Sequence, residues 1–322
     1  MSKRKKIALI YSTGTVLSSL KNRSIVFVDS DSDIPKWLES IPEISLIADI
    51  EPQFFLSESA TMGYSDTLRL SEQIDILRRQ VDGIVILMRT ESIIQQATLL
   101  NFLNQNVTIP VIITGAVVSP QALTEGVLSD ISKKNVALSL KSNVINATQV
   151  ATRDFHGFGL MYGNRLIEPV RAQRDNIEAL NVFSSIDGNY AGRVEFGISL
   201  NQPKKADKPT KHYNNFSTNV TVIDSSFLTL GSLKNLTADA VIIKIRENEQ
   251  LPLEVYEALR QLKQPVILYN YWYVLEHKGL IDISHITEES LLAKVMWLAA
   301  DSKSTAAFYQ RISENVIGEL LQ

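Results

Sequence analysis

Cysteine is absent from this 322-residue chain, and that absence excludes several kinds of chemistry at once. Without a thiol the chain has no disulfide, no cysteine nucleophile and no cysteine-ligated metal. Histidine is scarce as well: there are four, and none has the H-x-x-H or H-E-x-x-H spacing that is common in metal sites. We therefore expect no bound metal and no other cofactor.

The chain also lacks long apolar runs and a strong charge of either sign. The formal net charge is -3, which gives no electrostatic basis for nucleic-acid binding. No apolar stretch is long enough to span a bilayer. The basic residues 1–6 precede the apolar run Ile7–Tyr11, which is too short for the core of a secretion signal. We expect a cytoplasmic protein that binds neither nucleic acid nor a membrane.

Short apolar runs alternate with amphipathic helical stretches along the chain, a pattern typical of parallel α/β proteins. We predict two parallel-sheet α/β domains: a larger N-terminal domain at 1–200 and a smaller C-terminal domain at 212–322. A polar, proline-punctuated segment at 201–211 is the predicted linker. The predicted strands are Ile7–Ile10, Phe54–Leu56, Ile84–Leu87, Val111–Ile113, Gly157–Tyr162, Val220–Ile223, Ala240–Ile243 and Pro265–Leu268, and the predicted helices include Thr67–Arg79, Ser92–Asn104, Val144–Ala151, Leu253–Leu262 and Leu291–Ala300.

The end of the first predicted strand is rich in hydroxyl groups. Residues 10–16 read I-Y-S-T-G-T-V, directly after an apolar run. Loops at the carboxyl ends of strands bind ligands in open α/β sheets. Gly14 permits a tight turn there, and Thr15 would present a hydroxyl to a substrate. Taken alone, the segment also fits a turn that caps a helix or exits the strand.

Two later segments complete a pattern. Residues 83–92 are a strand and a polar turn that carries Thr90 and Glu91, and residues 279–281 and 287–294 read G-L-I and T-E-E-S-L-L-A-K. With the first loop, these segments resemble the L-asparaginase/glutaminase family, whose motifs are T-G-G-T-I, V-I-T-H-G-T-D-T-M and G-x-I-x-G-x-D-M-T-x-E-A-x-x-x-K. The resemblance, strongest to the bacterial cytoplasmic type, implies two α/β domains and a homodimer or homotetramer that acts on a small-molecule or peptide-like amide.

The resemblance also implies a catalytic set. Acyl-enzyme amide hydrolysis needs a nucleophile, a base and donors for the oxyanion. Thr15 stands at the position of the family's threonine nucleophile, and Thr90 at that of its second threonine. Glu91 replaces an aspartate, and Arg174 replaces the lysine of the activating group. Arginine keeps the positive charge but, with a pKa above about 12, does not serve as a base near neutral pH.

Three further positions are implied for substrate binding. Gly14 lies on the first loop, Ser59 aligns with a serine that contacts the substrate carboxylate, and Arg89 replaces a glycine. Ser59 fits a surface loop equally well, and Arg174 equally fits a solvated loop. The family's lid tyrosine corresponds to Ile25. Residues 117–143 exceed the family pattern by roughly a dozen residues and are predicted to form an extra helix or an excursion at an interface.

Two functions remain open at this point. One is an amidohydrolase or acyl-transfer enzyme with altered substrate, in which Arg89 and Arg174 bind an anionic group bidentately. The other is a binding or regulatory protein with the asparaginase fold and no catalysis, which the missing lysine and lid tyrosine favour. Nucleotide binding is disfavoured, because the first loop contains neither G-x-G-x-x-G nor G-x-x-x-x-G-K-[ST].

Overall fold

The computed structural model describes residues 4–12, 16–19, 24–27, 32–56, 62–90, 92–116, 130–175, 181–201, 208–234, 236–246, 249, 251–270 and 280–321. The chain divides into two compact units, Met1–His212 and Tyr213–Gln322. Among the described residues, none of the helices combines the length and the apolar character that crossing a membrane requires.

The first unit is built on an eight-stranded sheet. The strands of this unit are β1 (Lys6–Ser12), β2 (Val16–Ser19), β3 (Ser24–Phe27), β4 (Asp49–Phe55), β5 (Gly83–Leu87), β6 (Asn104–Gln105), β7 (Pro110–Thr114), β8 (Gly157–Tyr162), β9 (Arg165–Ile167), β10 (Ala172–Arg174), β11 (Phe183–Ser185), β12 (Gly192–Val194), β13 (Ile198–Leu200) and β14 (Lys211–His212). Its helices are α1 (Asp33–Glu39), α2 (Pro42–Ile47), α3 (Tyr64–Leu77), α4 (Ile93–Leu103) and α5 (Asp130–Ala151).

The order of strands in this sheet is β13-β12-β9-β8-β7-β5-β1-β4. From β4 to β8 all neighbours are parallel, whereas β9, β12 and β13 add an antiparallel edge. The central strands are apolar and almost fully buried because helices cover both faces of the sheet. The predicted parallel α/β fold is confirmed for this unit.

Alternate residues of β1 point to two separate cores. Leu9 and Tyr11 pack with Trp37 of α1 on one face. Ala8 and Ile10 pack on the other face, in a core that includes Leu70 of α3. This alternation follows from the two-residue period of a strand.

The chain reverses its direction across the sheet after β1. Strand β4 lies on one side of β1, and β5 lies on the other. The carboxyl ends of β1 and β5 therefore form a topological switch point, where open α/β sheets bind ligands. In the sequence, Thr15 follows the end of β1 and Thr90 follows the end of β5.

The second unit contains an all-parallel four-stranded sheet with its strands in sequential order. Its strands are β15 (Val220–Asp224), β16 (Ala240–Lys244), β17 (Val266–Tyr269) and β18 (Ile281–Ile283), and its helices are α6 (Leu230–Lys234), α7 (Leu253–Arg260), α8 (Glu288–Asp301) and α9 (Thr305–Ile312). The apolar core of this sheet includes Val241, Ile243, Val266 and Leu268.

Three helices begin earlier than the sequence predicts, and the first of them is α3, which begins at Tyr64 rather than at Thr67. Helix α5 begins at Asp130 rather than at 144, so the described part of residues 117–143, which are predicted to form an extra helix or an excursion at an interface, belongs to this helix. Residues 117–129 lie outside the described residues. Helix α8 begins at Glu288 rather than at 291, because the Thr287 hydroxyl caps it by accepting a hydrogen bond from the backbone N–H of Ser290 at 3.2 Å.

The predicted linker at 201–211 lies partly outside the described residues, at 202–207. Its last residues belong structurally to the first unit. The Thr210 hydroxyl donates to the Asn106 carbonyl at 2.7 Å, and the Asn106 side chain donates to the Pro209 carbonyl at 3.3 Å. Lys211 then pairs with Gln105 in the short β14–β6 ladder.

Candidate functional site

The described part of the candidate site begins at the carboxyl ends of β1, β5 and β7. The Ser12 hydroxyl donates to the Leu87 carbonyl at 3.1 Å, which ties the end of β1 to that of β5. Beyond β5, the Met88 N–H donates to the Thr114 carbonyl at 3.0 Å, which extends the pairing with β7. Thr90 follows and is buried. A predicted catalytic threonine thus sits on a segment fixed to two neighbouring strands.

Arg174 is the second predicted site residue that the structure places here. It ends β10, and its guanidinium donates a hydrogen bond to the backbone carbonyl of Thr90. The guanidinium also lies over the ring of Phe183, 5.1 Å from the centroid. Phe183 packs edge-on against Tyr162, with centroids 4.8 Å apart. Arg174 is exposed to solvent, and a cation–π contact and a charge-assisted hydrogen bond hold its guanidinium.

The turn after β7 depends on a glycine. A side chain on Gly115 would put its Cβ 2.3 Å from the Met88 carbonyl oxygen. The amide of Asn143, on α5, donates to the Gly115 carbonyl at 2.8 Å and accepts from the Gly163 N–H at 2.9 Å. Sequence reasoning missed Asn143; the available signal was a polar amide within an otherwise apolar face of a helix.

A second set of contacts anchors the segment that carries Ser59. Before it, the Arg69 guanidinium donates to the Leu56 carbonyl at 2.9 Å. After it, the Gln96 amide donates to the Met62 carbonyl at 3.2 Å. Both ends of residues 57–61 are therefore held by helices α3 and α4. Sequence reasoning did not identify Arg69 or Gln96, and no local motif marks either of them.

Four of the remaining predicted site residues lie outside the described residues: Gly14, Thr15, Ser59 and Glu91. Arg89 is half-buried, next to Thr90 in the chain. From the predicted set, the structure thus brings Arg174 to Thr90.

The buried phenol at the end of β1 is not suited to act as a base. Tyr11 lies beside Ser12 on β1, and its ring meets Trp37 edge-on at 5.8 Å. Burial raises the pKa of Tyr11 well above its usual value, so the phenol stays neutral at physiological pH. In the described part of the chain, no three His, Asp or Glu residues are grouped to hold a metal ion.

The C-terminal motif has structural roles where it is described. Thr287 caps α8, as noted above. Lys294 is fully buried and forms an ion pair with Glu319 at 2.7 Å. Glu319 also accepts backbone N–H groups of Val316 and Ile317. These residues therefore hold the last described segment against α8.

The chain was compared with protein-family models and with curated protein sequences. Residues 6–206 match the family model described as asparaginase, N-terminal. A comparison with curated protein sequences gives no significant match.

Solved structures share the fold at low sequence identity. The thermostable L-asparaginase from Thermococcus kodakarensis has a TM-score of 0.79 at 19% identity, with 98% of this chain and 99% of that chain covered. L-asparaginase I from Vibrio cholerae has a TM-score of 0.78 at 20% identity, with 99% and 100% covered. A probable cytoplasmic L-asparaginase from Campylobacter jejuni has a TM-score of 0.72 at 15% identity, with 97% and 100% covered.

Proposed function

Because this chain belongs to the asparaginase family, we propose that it is an amidohydrolase, or a related acyl-transfer enzyme, with altered substrate specificity and Thr15 as its nucleophile. The family and the fold support amide hydrolysis in general. The observation that carries the finer proposal is the hydrogen bond from Arg174 to the Thr90 carbonyl. It brings the residue at the family's lysine position to the residue at its second threonine position.

In the proposed reaction, the Thr15 hydroxyl oxygen attacks the amide carbonyl carbon. Thr90 and the Glu91 carboxylate help remove the hydroxyl proton, and the nitrogen leaves as ammonia or an amine after taking up a proton. Water, or another acceptor, then cleaves the threonyl ester. Glutamate is one methylene longer than the family's aspartate, so a contact with the usual substrate's amino group would move by about a bond length.

Arg174 cannot accept the proton, because guanidinium stays protonated near neutral pH. We assign it two roles: it orients the Thr90 segment through the carbonyl contact, and with Arg89 it binds an anionic group of the substrate. A guanidinium has five N–H donors in a planar fork that suits a carboxylate. This pair favours a larger acidic or peptide-like amide over free asparagine.

A second candidate function is ligand binding without turnover. The observation that favours it is the same guanidinium, because the proton-accepting lysine of the family is missing at Arg174. In this case the site would hold an anionic ligand and release no ammonia. The fold does not distinguish the two functions, since function depends on the site.

The cellular location, the oligomeric state and the substrate class are proposed on the same basis, the membership of this family. We propose a cytoplasmic homodimer or homotetramer that uses no cofactor and acts on a small-molecule or peptide-like amide.

The deciding experiment is ammonia release from purified protein given L-Asn, D-Asn, L-Gln and short Asn- or Gln-containing peptides. We expect release from the peptide-like amides, and its loss in Thr15→Ala. Thr237→Ala, at an exposed position of the second unit, is the matched control and should behave as the wild type. Release that persists in Thr15→Ala would contradict the threonine nucleophile. No release from any substrate would favour the binding protein.

A further inference from the structure

Two arginines face each other on the antiparallel edge of the first sheet. Arg165 of β9 and Arg193 of β12 are direct register partners. Their guanidinium carbons lie 5.1 and 4.9 Å from the centroid of one ring, that of Tyr190. Directly opposed residues of an antiparallel pair project from the same face. Both positive charges therefore lie against the same aromatic ring.

This arrangement has an electrostatic cost that no carboxylate in the described part of the chain offsets. Like charges directly opposite on neighbouring strands are destabilising. Within the described residues, neither guanidinium forms an ion pair with a carboxylate. The contact with Tyr190 orients both side chains without neutralising them. A paired, oriented and uncompensated set of guanidinium groups is suited to bind a carboxylate bidentately.

The arginine pair lies at the same edge of the sheet as the candidate site. Arg165 is the register partner of Tyr162, at the carboxyl end of β8. The ring of Tyr162 contacts that of Phe183, and the Arg174 guanidinium lies over the Phe183 ring. Arg174 in turn donates a hydrogen bond to the Thr90 carbonyl. Three strand spacings of about 4.8 Å separate β5 from β9, which gives roughly 14 Å. An extended peptide covers that distance in about four residues.

We propose that Arg165 and Arg193 form a carboxylate subsite that selects peptide-like substrates with an acidic residue about four positions from the reactive amide. The inference rests on the proposed function, because it assigns the substrate class of that same site. The subsite binds the acidic group and leaves the bond-breaking step to the residues near Thr90.

The test measures binding and turnover separately. The probes are blocked pentapeptides that carry Asn at one end, three alanines, and Glu or Gln at the other, made in both chain directions. Binding is followed by fluorescence anisotropy of a dye-labelled probe, and turnover by ammonia release. We expect the Glu probe to bind the wild type at least about tenfold more tightly than the Gln probe, with affinity falling as salt is raised.

The variants test whether the preference for Glu depends on Arg165 and Arg193 or on any arginine that stacks on a tyrosine. Arg165→Met with Arg193→Met should remove the preference for Glu, whereas Arg260→Met is the matched control, since Arg260 stacks on Tyr256 at 6.0 Å in the second unit. Arg165→Lys with Arg193→Lys keeps the charges but loses the bidentate fork, and should weaken Glu-probe binding several-fold. If the methionine variant does not fold, two measurements still test the subsite. One is the affinity of the lysine variant for the Glu probe, and the other is the affinity of the wild type for the Glu probe against the Gln probe.

The outcomes distinguish this inference from the proposed function. Arginine-dependent binding of the Glu probe without ammonia release supports the subsite and contradicts catalysis. Ammonia release at equal rates from the Glu and Gln probes, unchanged in the methionine variant, supports catalysis and overturns the subsite. Equal affinity of the wild type for both probes also overturns the subsite.

Discussion

At the scale of single residues, Arg174 gives the most direct test of the proposed activity. Its guanidinium donates to the Thr90 carbonyl. Arg174→Met removes this contact, and we expect kcat to fall roughly tenfold to a hundredfold, because small displacements of reacting groups are costly. Arg174→Lys keeps a cation and a donor and should retain most of the activity. The measurement is steady-state ammonia release from the preferred substrate.

The matched control is Arg153→Met, at an exposed arginine that follows α5. It should have the wild-type kcat. A kcat of Arg174→Met equal to that of the wild type would show that the carbonyl contact does not position Thr90.

Lys294 carries the largest expected effect of one residue on stability. It is fully buried, and it pairs with the equally buried Glu319. Lys294→Met leaves a buried carboxylate without its cation, and we expect a loss of about 3–5 kcal/mol in the free energy of unfolding. Urea denaturation followed by circular dichroism measures this loss.

The exposed pair of Lys244 and Glu288, also at 2.7 Å, provides the control. Lys244→Met should cost less than about 1 kcal/mol, because surface ion pairs contribute little. If both lysine variants lose the same free energy of unfolding, burial does not determine how much the Lys294–Glu319 pair contributes to stability.

At the scale of secondary-structure elements, Gly115 decides how closely β5 and β7 approach. Its added Cβ would lie 2.3 Å from the Met88 carbonyl oxygen and 2.9 Å from the Tyr162 hydroxyl. Gly115→Ala should therefore separate the strand ends, lower the free energy of unfolding by about 1–3 kcal/mol and reduce turnover. Denaturant unfolding and the ammonia assay measure the two effects.

Gly231 on α6 is the matched position, since its added Cβ would meet nothing closer than 3.6 Å. Gly231→Ala should raise the free energy of unfolding by up to about 1 kcal/mol. A Gly115→Ala protein as stable as the wild type would contradict the close approach.

The turn after β11 makes the first unit sensitive to acid. Burial alone would raise the pKa of Asp187, but hydrogen bonds from Ser185 and Asn189 and the ion pair with Arg171 outweigh it and lower that pKa. A depressed pKa contributes stability above the unfolded-state value, and this stability disappears as the pH falls through the folded-state value.

We therefore expect the free energy of unfolding to fall as the pH drops below about 4, the usual pKa of an unfolded-state aspartate, and Asp187→Asn to flatten this fall. Asp49→Asn, at an exposed position of β4, is the control and should keep the wild-type slope. The measurement is urea unfolding at a series of pH values. The same slope in Asp187→Asn and the wild type would contradict the assignment.

Most elements could be predicted because their apolar periods are clear. Strand β8 is observed at Gly157–Tyr162, as predicted. The start of α5 at Asp130 is not evident from the sequence, in which residues 117–143 fit an extra helix or an excursion and only Val144–Ala151 is predicted as this helix. The position of Arg174 next to Thr90 follows from the short β10–β11 hairpin, which local patterns do not reveal.

At the scale of the whole molecule, the family and the α/β fold could be predicted from ordered motifs, and both are confirmed. The site could be predicted only as a set of aligned positions. Its support comes from Asn143, Arg69 and Gln96, which contact residues distant in sequence. Such long-range side-chain contacts leave no periodic signal along the chain. The predicted nucleophile at Thr15 and the carboxylate of Glu91 stay predictions.

Oligomeric state is the prediction that belongs to this scale. We expect a mass two or four times the 36.0 kDa of the chain in sedimentation or light scattering, as the family resemblance implies. The measured mass should fall to that of the monomer only when the protein is diluted to a low concentration. A monomeric mass at micromolar concentration would contradict a stable homo-oligomer.

The hydrogen bonds on either side of residues 57–61 have an evolutionary consequence. Arg69 holds Leu56 and Gln96 holds Met62, and both bonds end on backbone carbonyls. Neither bond uses a side chain of residues 57–61, so substitutions within this segment leave both donors and both acceptors in the sequence. A lineage can therefore vary these five positions without having to rebuild α3 or α4.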